Sequence, residues 1–175
     1  MHERELPDLI ADVPDFPKPG VTFKDMTPLL ADPSALALAV ELMANPYRKH
    51  RVDAVIGAES RGFIFGTALA QALSAGFVPI RKPGKLPRDV AGVDYELEYG
   101  SDRLEMHADA ISGGQRVVIV DDLLATGGTM AASIELVERT GAEIVGATVL
   151  IELTFLEGRS KLGRHGEHVH AVLKY

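Results

Sequence analysis

Cysteine is absent from the 175 residues, which excludes disulfide bonds, thiolate nucleophiles and cysteine-ligated zinc. Also missing is any apolar run approaching the roughly 20 residues that a bilayer-spanning helix needs, so no membrane partner is expected. The opening residues, MHERELP, lack the basic-then-apolar order of a secretory signal. These absences lead to an expected cytoplasmic location. Positive charge is scarce as well: 18 Lys and Arg stand against 25 Asp and Glu, a net charge of −7. Nucleic acid is therefore not an expected partner, and any anionic ligand must be held by a local cluster of cations and backbone amides. No internal repeat, low-complexity tract or long linker interrupts the chain. With 46% hydrophobic residues it suits one domain, 1–175, with a real core.

One cluster of cations is present. Arg81, Lys82, Lys85 and Arg88 lie within RKPGKLPR, where a solvated basic loop is the competing reading. Around it, apolar runs alternate with helical spacing. Residues 14–20, PDFPKPG, predict a rigid irregular segment. Asp32-Pro33-Ser34 opens a helix expected to reach about His50. Strands are expected at Val52–Gly57, Phe77–Arg81, Arg116–Val120 and Glu143–Glu152, and helices at Phe63–Leu73 and Gly128–Thr140. Tyr95–Tyr99 and Arg103–His107 flank Gly100-Ser101-Asp102 as a β-hairpin. This order predicts an α/β fold: a mainly parallel twisted sheet with helices on both faces. Ligands bind beyond the carboxyl ends of such strands, where the loops GAESRG, RKPGKLPR and DDLLATGGT all begin.

The stretch VVIVDDLLATGGT carries the most chemistry. Ala125, Thr126, Gly127, Gly128 and Thr129 stand at a helix start, where the first backbone N–H groups lack partners. Glycines let the backbone approach closely, the threonines add hydroxyls, and together they suit a phosphate. No lysine follows the second glycine, so this is not a Walker A loop. Asp121 and Asp122 would repel a phosphate, but they can accept from sugar hydroxyls or hold Mg²⁺ directly or through water. Two acids, a short spacer and a phosphate nest match a ribose 5-phosphate. A strand cap with one solvated aspartate is the plainer alternative.

The same stretch resembles the signature of type I phosphoribosyltransferases, which bind 5-phosphoribosyl 1-pyrophosphate (PRPP). DFPKPGVTFKDMTPLL, ESRGFIFG with RKPGKLP downstream, and YELEYG resemble the adenine-using branch of that family, from about Asp12 to Arg159. The resemblance implies that adenine and PRPP give AMP and pyrophosphate, with Mg²⁺ as cofactor and a homodimer as the assembly. It implies a hood segment over 1–30 and a flexible hairpin lid over 89–108. Asp121 and Asp122 would hold the ribose and the PRPP-bound Mg²⁺, and Ala125 to Thr129 the 5′-phosphate. Arg61, Arg81, Lys82 and Lys85 would face the pyrophosphate. Phe23 and Leu153 would sandwich adenine, with backbone near Thr22 and Lys24 at its edge. Glu98 and Tyr99 would stand at the reacting centre, and a non-proline cis peptide is implied near Glu59-Ser60. Lys24 departs from the family's usual arginine. His165, His168 and His170 match no family site, and a solvated turn before a terminal strand is expected there, with a metal site as the alternative. Other functional readings are the same transfer to a different base, a PRPP-sensing regulator, and a purely structural domain.

Overall fold

β-Branched runs that are apolar on both faces can be satisfied only inside a sheet covered on both sides, and Val117–Val120 and Val149–Ile151 are such runs. In this computed structural model, which describes residues 2–97 and 100–175, the chain divides into two compact units, Met1–Leu42 and Met43–Tyr175. The expected hood segment falls within the first.

The first unit holds a short antiparallel pair, β1 (Ala11–Val13) and β2 (Phe23–Asp25), followed by α1 (Thr27–Ala31) and most of α2 (Pro33–Ala44). PDFPKPG joins β1 to β2 as an irregular loop. Asp15 adopts positive φ there, and its carboxylate accepts from Gly20 N at 2.8 Å. Phe16 packs edge-on against Phe23, ring centres 5.3 Å apart. Asp32 caps α2, its Oδ1 accepting from Ser34 N and Ala35 N at 2.9 and 2.8 Å. The helix stops at Ala44 rather than near His50. Pro46 lacks an N–H and disfavours helical backbone at Asn45, so the chain leaves through one 3-10 turn, Asn45–Tyr47.

The second unit is an α/β layer structure. Its elements are β3 (Ala54–Ala58), α3 (Gly62–Leu73), β4 (Gly76–Ile80), a hairpin of β5 (Val90–Leu97) and β6 (Gly100–His107), β7 (Arg116–Leu124), α4 (Gly128–Glu138), β8 (Glu143–Glu152) and β9 (Val169–Lys174). Five strands form one parallel sheet in the order β4-β3-β7-β8-β9. Period-two alternation divides its side chains between two cores. Ile56, Val117, Ile119 and Val149 join Met130, Ile134 and Val137 of α4 in one cluster. Val55 and Gly57 face the other way, where Phe77 is fitted against Gly57 and against Gly66 of α3.

Two expectations need correcting. β7 does not end at Val120 but runs through Asp121 and Asp122 to Leu124, because the long β8 continues the ladder to Leu124 opposite Glu152. Gly100, Ser101 and Asp102 are not the hairpin turn but part of β6, with Gly100 opposite Leu97 and Asp102 opposite Tyr95. The Asp102 carboxylate accepts from the Tyr95 hydroxyl at 3.1 Å, which anchors it in the paired region. HGEHVH finishes an irregular 3-10 segment, Gly158–His168, and enters β9 as expected. Among the described residues no helix is long and apolar enough to cross a membrane, and no group of three or more acids or histidines could hold a metal.

The bulge in β8 beside Val117 and Val118 is filled by Tyr47, whose ring lies against Gly146. Its buried hydroxyl donates to Ala147 O at 2.7 Å, and burial pushes the phenol above its usual range, so it stays a neutral donor. Tyr47→Phe should lower stability by about 1 kcal/mol, the usual worth of one such bond. A urea melt checks this: the midpoint should fall while the m-value stays constant.

Candidate active site

The ends of β3 and β7 and the start of α4 surround a cavity of about 350 Å³ within the second unit. Its wall includes Glu59, Ser60, Arg61, Asp121, Asp122 and the whole run from Leu123 to Met130. Close approaches make this geometry possible. Gly62 opens α3, and a Cβ there would stand 2.9 Å from Asp121 Oδ1 and 3.3 Å from Val120 O. The start of α3 can therefore sit against the end of β7, which delivers Arg61 to the aspartates. The Glu59–Ser60 peptide is cis, as the resemblance implied.

The two aspartates differ in surroundings. Asp122 is buried, and its Oδ2 is paired with Arg61 Nε at 2.5 Å. Asp121 accepts from Asp122 N at 2.9 Å. Loss of water contact, followed by the charge of Asp122, holds its carboxyl well above the ordinary carboxylate range. A carboxylate in that condition gains most from a hydroxyl or cation placed against it.

The glycine loop meets the requirements of an anion cradle. Gly127 has φ +84° at the N-cap of α4, with no side chain capping the helix. The first intrahelical bond runs from Ala131 N to Gly127 O at 2.9 Å, so the N–H groups of Gly128, Thr129 and Met130 precede the ladder on the cavity wall. Ala125 to Thr129 all line the cavity.

The basic cluster is placed differently. Arg61 is on the wall, whereas Arg81, Lys82 and Lys85 are not among its lining residues. Glu59 connects the two regions: its Oε2 accepts from Lys82 N at 2.8 Å and from Arg81 Nε at 3.2 Å. Lys82 Nζ pairs with Asp102 and donates to the Tyr95 hydroxyl at 3.1 Å, so it is tied to the hairpin. Burial lowers the Lys82 ammonium, but the Asp102 and Tyr95 contacts outweigh this and hold it above its usual range. Arg88 pairs with Asp109 instead.

Leu153 follows β8 and donates its N–H to Leu124 O at 2.9 Å, beside the cavity wall. Thr22, Phe23 and Lys24 lie at β2 of the first unit. Lys24 stands directly opposite Asp12 and pairs with it at 2.6 Å. Glu98 and Tyr99 lie outside the described residues. Gly62 and Gly158 escaped the sequence reading. Each matters through a close approach to a distant residue, and the only signal in the chain was a glycine where a helix or turn begins.

Comparison with known proteins agrees with this geometry. Residues 26–174 match the family model of the phosphoribosyl transferase domain. The chain is 58% identical over 166 residues to an adenine phosphoribosyltransferase of Rhodopirellula baltica, covering 95% of this chain and 80% of that one. The crystal structure of adenine phosphoribosyltransferase from Rhodothermus marinus superposes with a TM-score of 0.93 at 53% identity, covering 99% and 98% of the two chains. That from Saccharomyces cerevisiae, complexed with an imino-altritol bisphosphate and adenine, gives 0.91 at 40% identity, covering 98% of each. The chain belongs to the phosphoribosyl transferase family, among its adenine phosphoribosyltransferases.

An acid whose folded-state pKa is raised favours the fold while protonated, and that contribution is lost as pH rises through the raised value. Asp121→Asn removes this cost and keeps an acceptor for Asp122 N. The ligand-free variant should melt above wild type at pH 8, and the gap should close as pH falls toward about 4, the unperturbed carboxylate range. Differential scanning calorimetry across that range checks the sign.

Proposed function

We propose that this chain transfers the 5-phosphoribosyl group from PRPP to adenine, giving AMP and pyrophosphate, as a purine-salvage step. The observation that carries this reading is one cavity in which Asp121 and Asp122 stand beside the N–H groups that precede the α4 ladder. A ribose 5-phosphate satisfies both ends: its hydroxyls donate to the carboxylates and its phosphate accepts from Ala125 to Thr129. The relatives named above support adenine as the acceptor base.

Displacement at the anomeric carbon builds positive charge on the sugar while pyrophosphate leaves. Arg61 on the cavity wall stabilises that leaving group, with Arg81, Lys82 and Lys85 on the neighbouring basic loop. The carboxylates of Asp121 and Asp122 suit Mg²⁺ held through water or PRPP oxygens. Two carboxylates without a third protein ligand are what that strongly hydrated ion accepts. When bound, Mg²⁺ neutralises pyrophosphate charge. Phe23 and Leu153 take the two faces of adenine, and backbone at Thr22 to Lys24 reads its edge. Water would hydrolyse PRPP, and closure of the hairpin over 89–108 excludes it. The enzyme acts as a cytoplasmic homodimer, since its phosphorylated substrates do not cross membranes unaided. Pairing brings the basic loop near the partner's site.

Adenine presents an amino donor beside an N1 acceptor, and hypoxanthine presents the reverse pattern. Fixed backbone partners should therefore favour adenine by roughly 10⁴-fold in kcat/KM. Product assays with PRPP, Mg²⁺ and each nucleobase in turn decide it; comparable rates with hypoxanthine would overturn the base assignment. Sedimentation at assay concentration tests the dimer, which an active monomer would exclude.

Glu98 is assigned the purine's imidazole proton as the new bond forms. Glu98→Gln should lower kcat by about 10²–10⁴-fold, the usual contribution of a placed acid or base, with PRPP binding nearly intact. Glu96→Gln is the control and should change little. Equal losses in both variants would mean that hairpin charge, rather than proton transfer at Glu98, is what matters.

A further inference from the structure

The phosphate loop is held in shape from behind. Gly127 at positive φ and nearby Ala125 pack backbone against backbone on Gly158, the first residue of the 3-10 segment Gly158–His168 that follows β8. A Cβ on Gly127 would run into the Gly158 carbonyl oxygen, and one on Gly158 into the Ala125 carbonyl oxygen. Movement of Gly158 toward the loop would therefore displace it.

What fixes Gly158 is the next residue. Arg159 grips Glu152 with both arms, Nε to Oε1 at 2.6 Å and Nη2 to Oε2 at 2.7 Å, while its Nη1 donates to Gly166 O at 3.0 Å. Glu152 is buried at the end of β8 and stands in register with Leu124, the residue before the loop. The contacts close a ring: β7 end, β8 end, Arg159, Gly158, and back to the loop. A planar two-point pair sets orientation as well as distance, which a single point charge cannot do.

We propose that Arg159, through its pair with Glu152, is a positioning residue for the 5′-phosphate cradle. This rests on the reading of Ala125 to Thr129 as the phosphate site. Arg159 itself does not line the cavity; it acts by holding Gly158 against Ala125 and Gly127.

The test separates phosphate binding from turnover and from folding. Ribose 5-phosphate binding is measured by calorimetry, the melting temperature by scanning, and KM and kcat with PRPP and adenine. Arg159→Lys keeps the charge and loses the fork, while Arg159→Met loses both. Gly158→Ala wedges the loop directly. Arg164→Gln lies in the same segment but pairs with Glu138, away from the loop. Both Arg159→Lys and Gly158→Ala should weaken ribose 5-phosphate binding and raise the PRPP KM by about ten- to a hundredfold, the scale set by ångström-level misplacement of a binding group. Arg159→Met should be worse than Arg159→Lys, and Arg164→Gln should match wild type. If Gly158→Ala fails to fold, Arg159→Lys carries the comparison. Wild-type affinity in Arg159→Lys, alongside a lowered melting temperature, would make the pair merely structural and overturn the inference. Failure of wild type to bind ribose 5-phosphate would instead remove the phosphate site, and the inference with it.

Discussion

Two carboxylates on consecutive residues of a buried strand cannot both be charged and dry, and the second unit is organised around that constraint. Asp122 is neutralised by Arg61, which reaches it only because Gly62 lets α3 begin against the end of β7. Gly57 and Gly66 leave room for the Phe77 ring, which seats α3 on the sheet. For Asp121, loss of water contact and the charge of Asp122 outweigh the nearby charge of Arg61 and hold its carboxyl above the ordinary range.

The parallel sheet carries this arrangement because all its strand ends point the same way. β3 delivers Glu59 to Arg61, β7 delivers the aspartates and the glycine loop, and β8 delivers Glu152 and Leu153. Each is within a few residues of its strand's last ladder bond, so the rigid sheet, rather than the loops, sets their spacing. Gly127 takes positive φ at the helix start because glycine has no Cβ to oppose it. The lack of a Cβ also lets the chain after β8 fold back and bring Gly158 close against it.

Much of this was legible in the sequence, and the exceptions have physical causes. The apolar runs announced the parallel sheet, and DD followed by ATGGT announced a sugar-phosphate site. What local pattern could not show was the true end of β7, because a ladder is extended by its neighbour and charged residues look like loop. Helix α2 was overextended because alanine and leucine spacing was given more weight than Pro46. Gly158 was invisible because its importance is a contact with residues far away in the chain. Glu152 did leave a signal: an acid ending a run as apolar as IVGATVLI needs a partner, and Arg159 lies 7 residues beyond.

Charge pairing also explains how an acidic protein can be fitted for an anionic substrate without a naked basic patch. Arg61 rests on Asp122, Arg81 on Glu59, and Lys82 on Asp102. Each pair holds a partly desolvated cation beside a carboxylate. The affinity gained is then a difference, the phosphate contact less the carboxylate contact it replaces. Lys82 pairs with Asp102 of the hairpin while its own N–H donates to Glu59 on the cavity wall, so one residue ties the wall to the hairpin beside it.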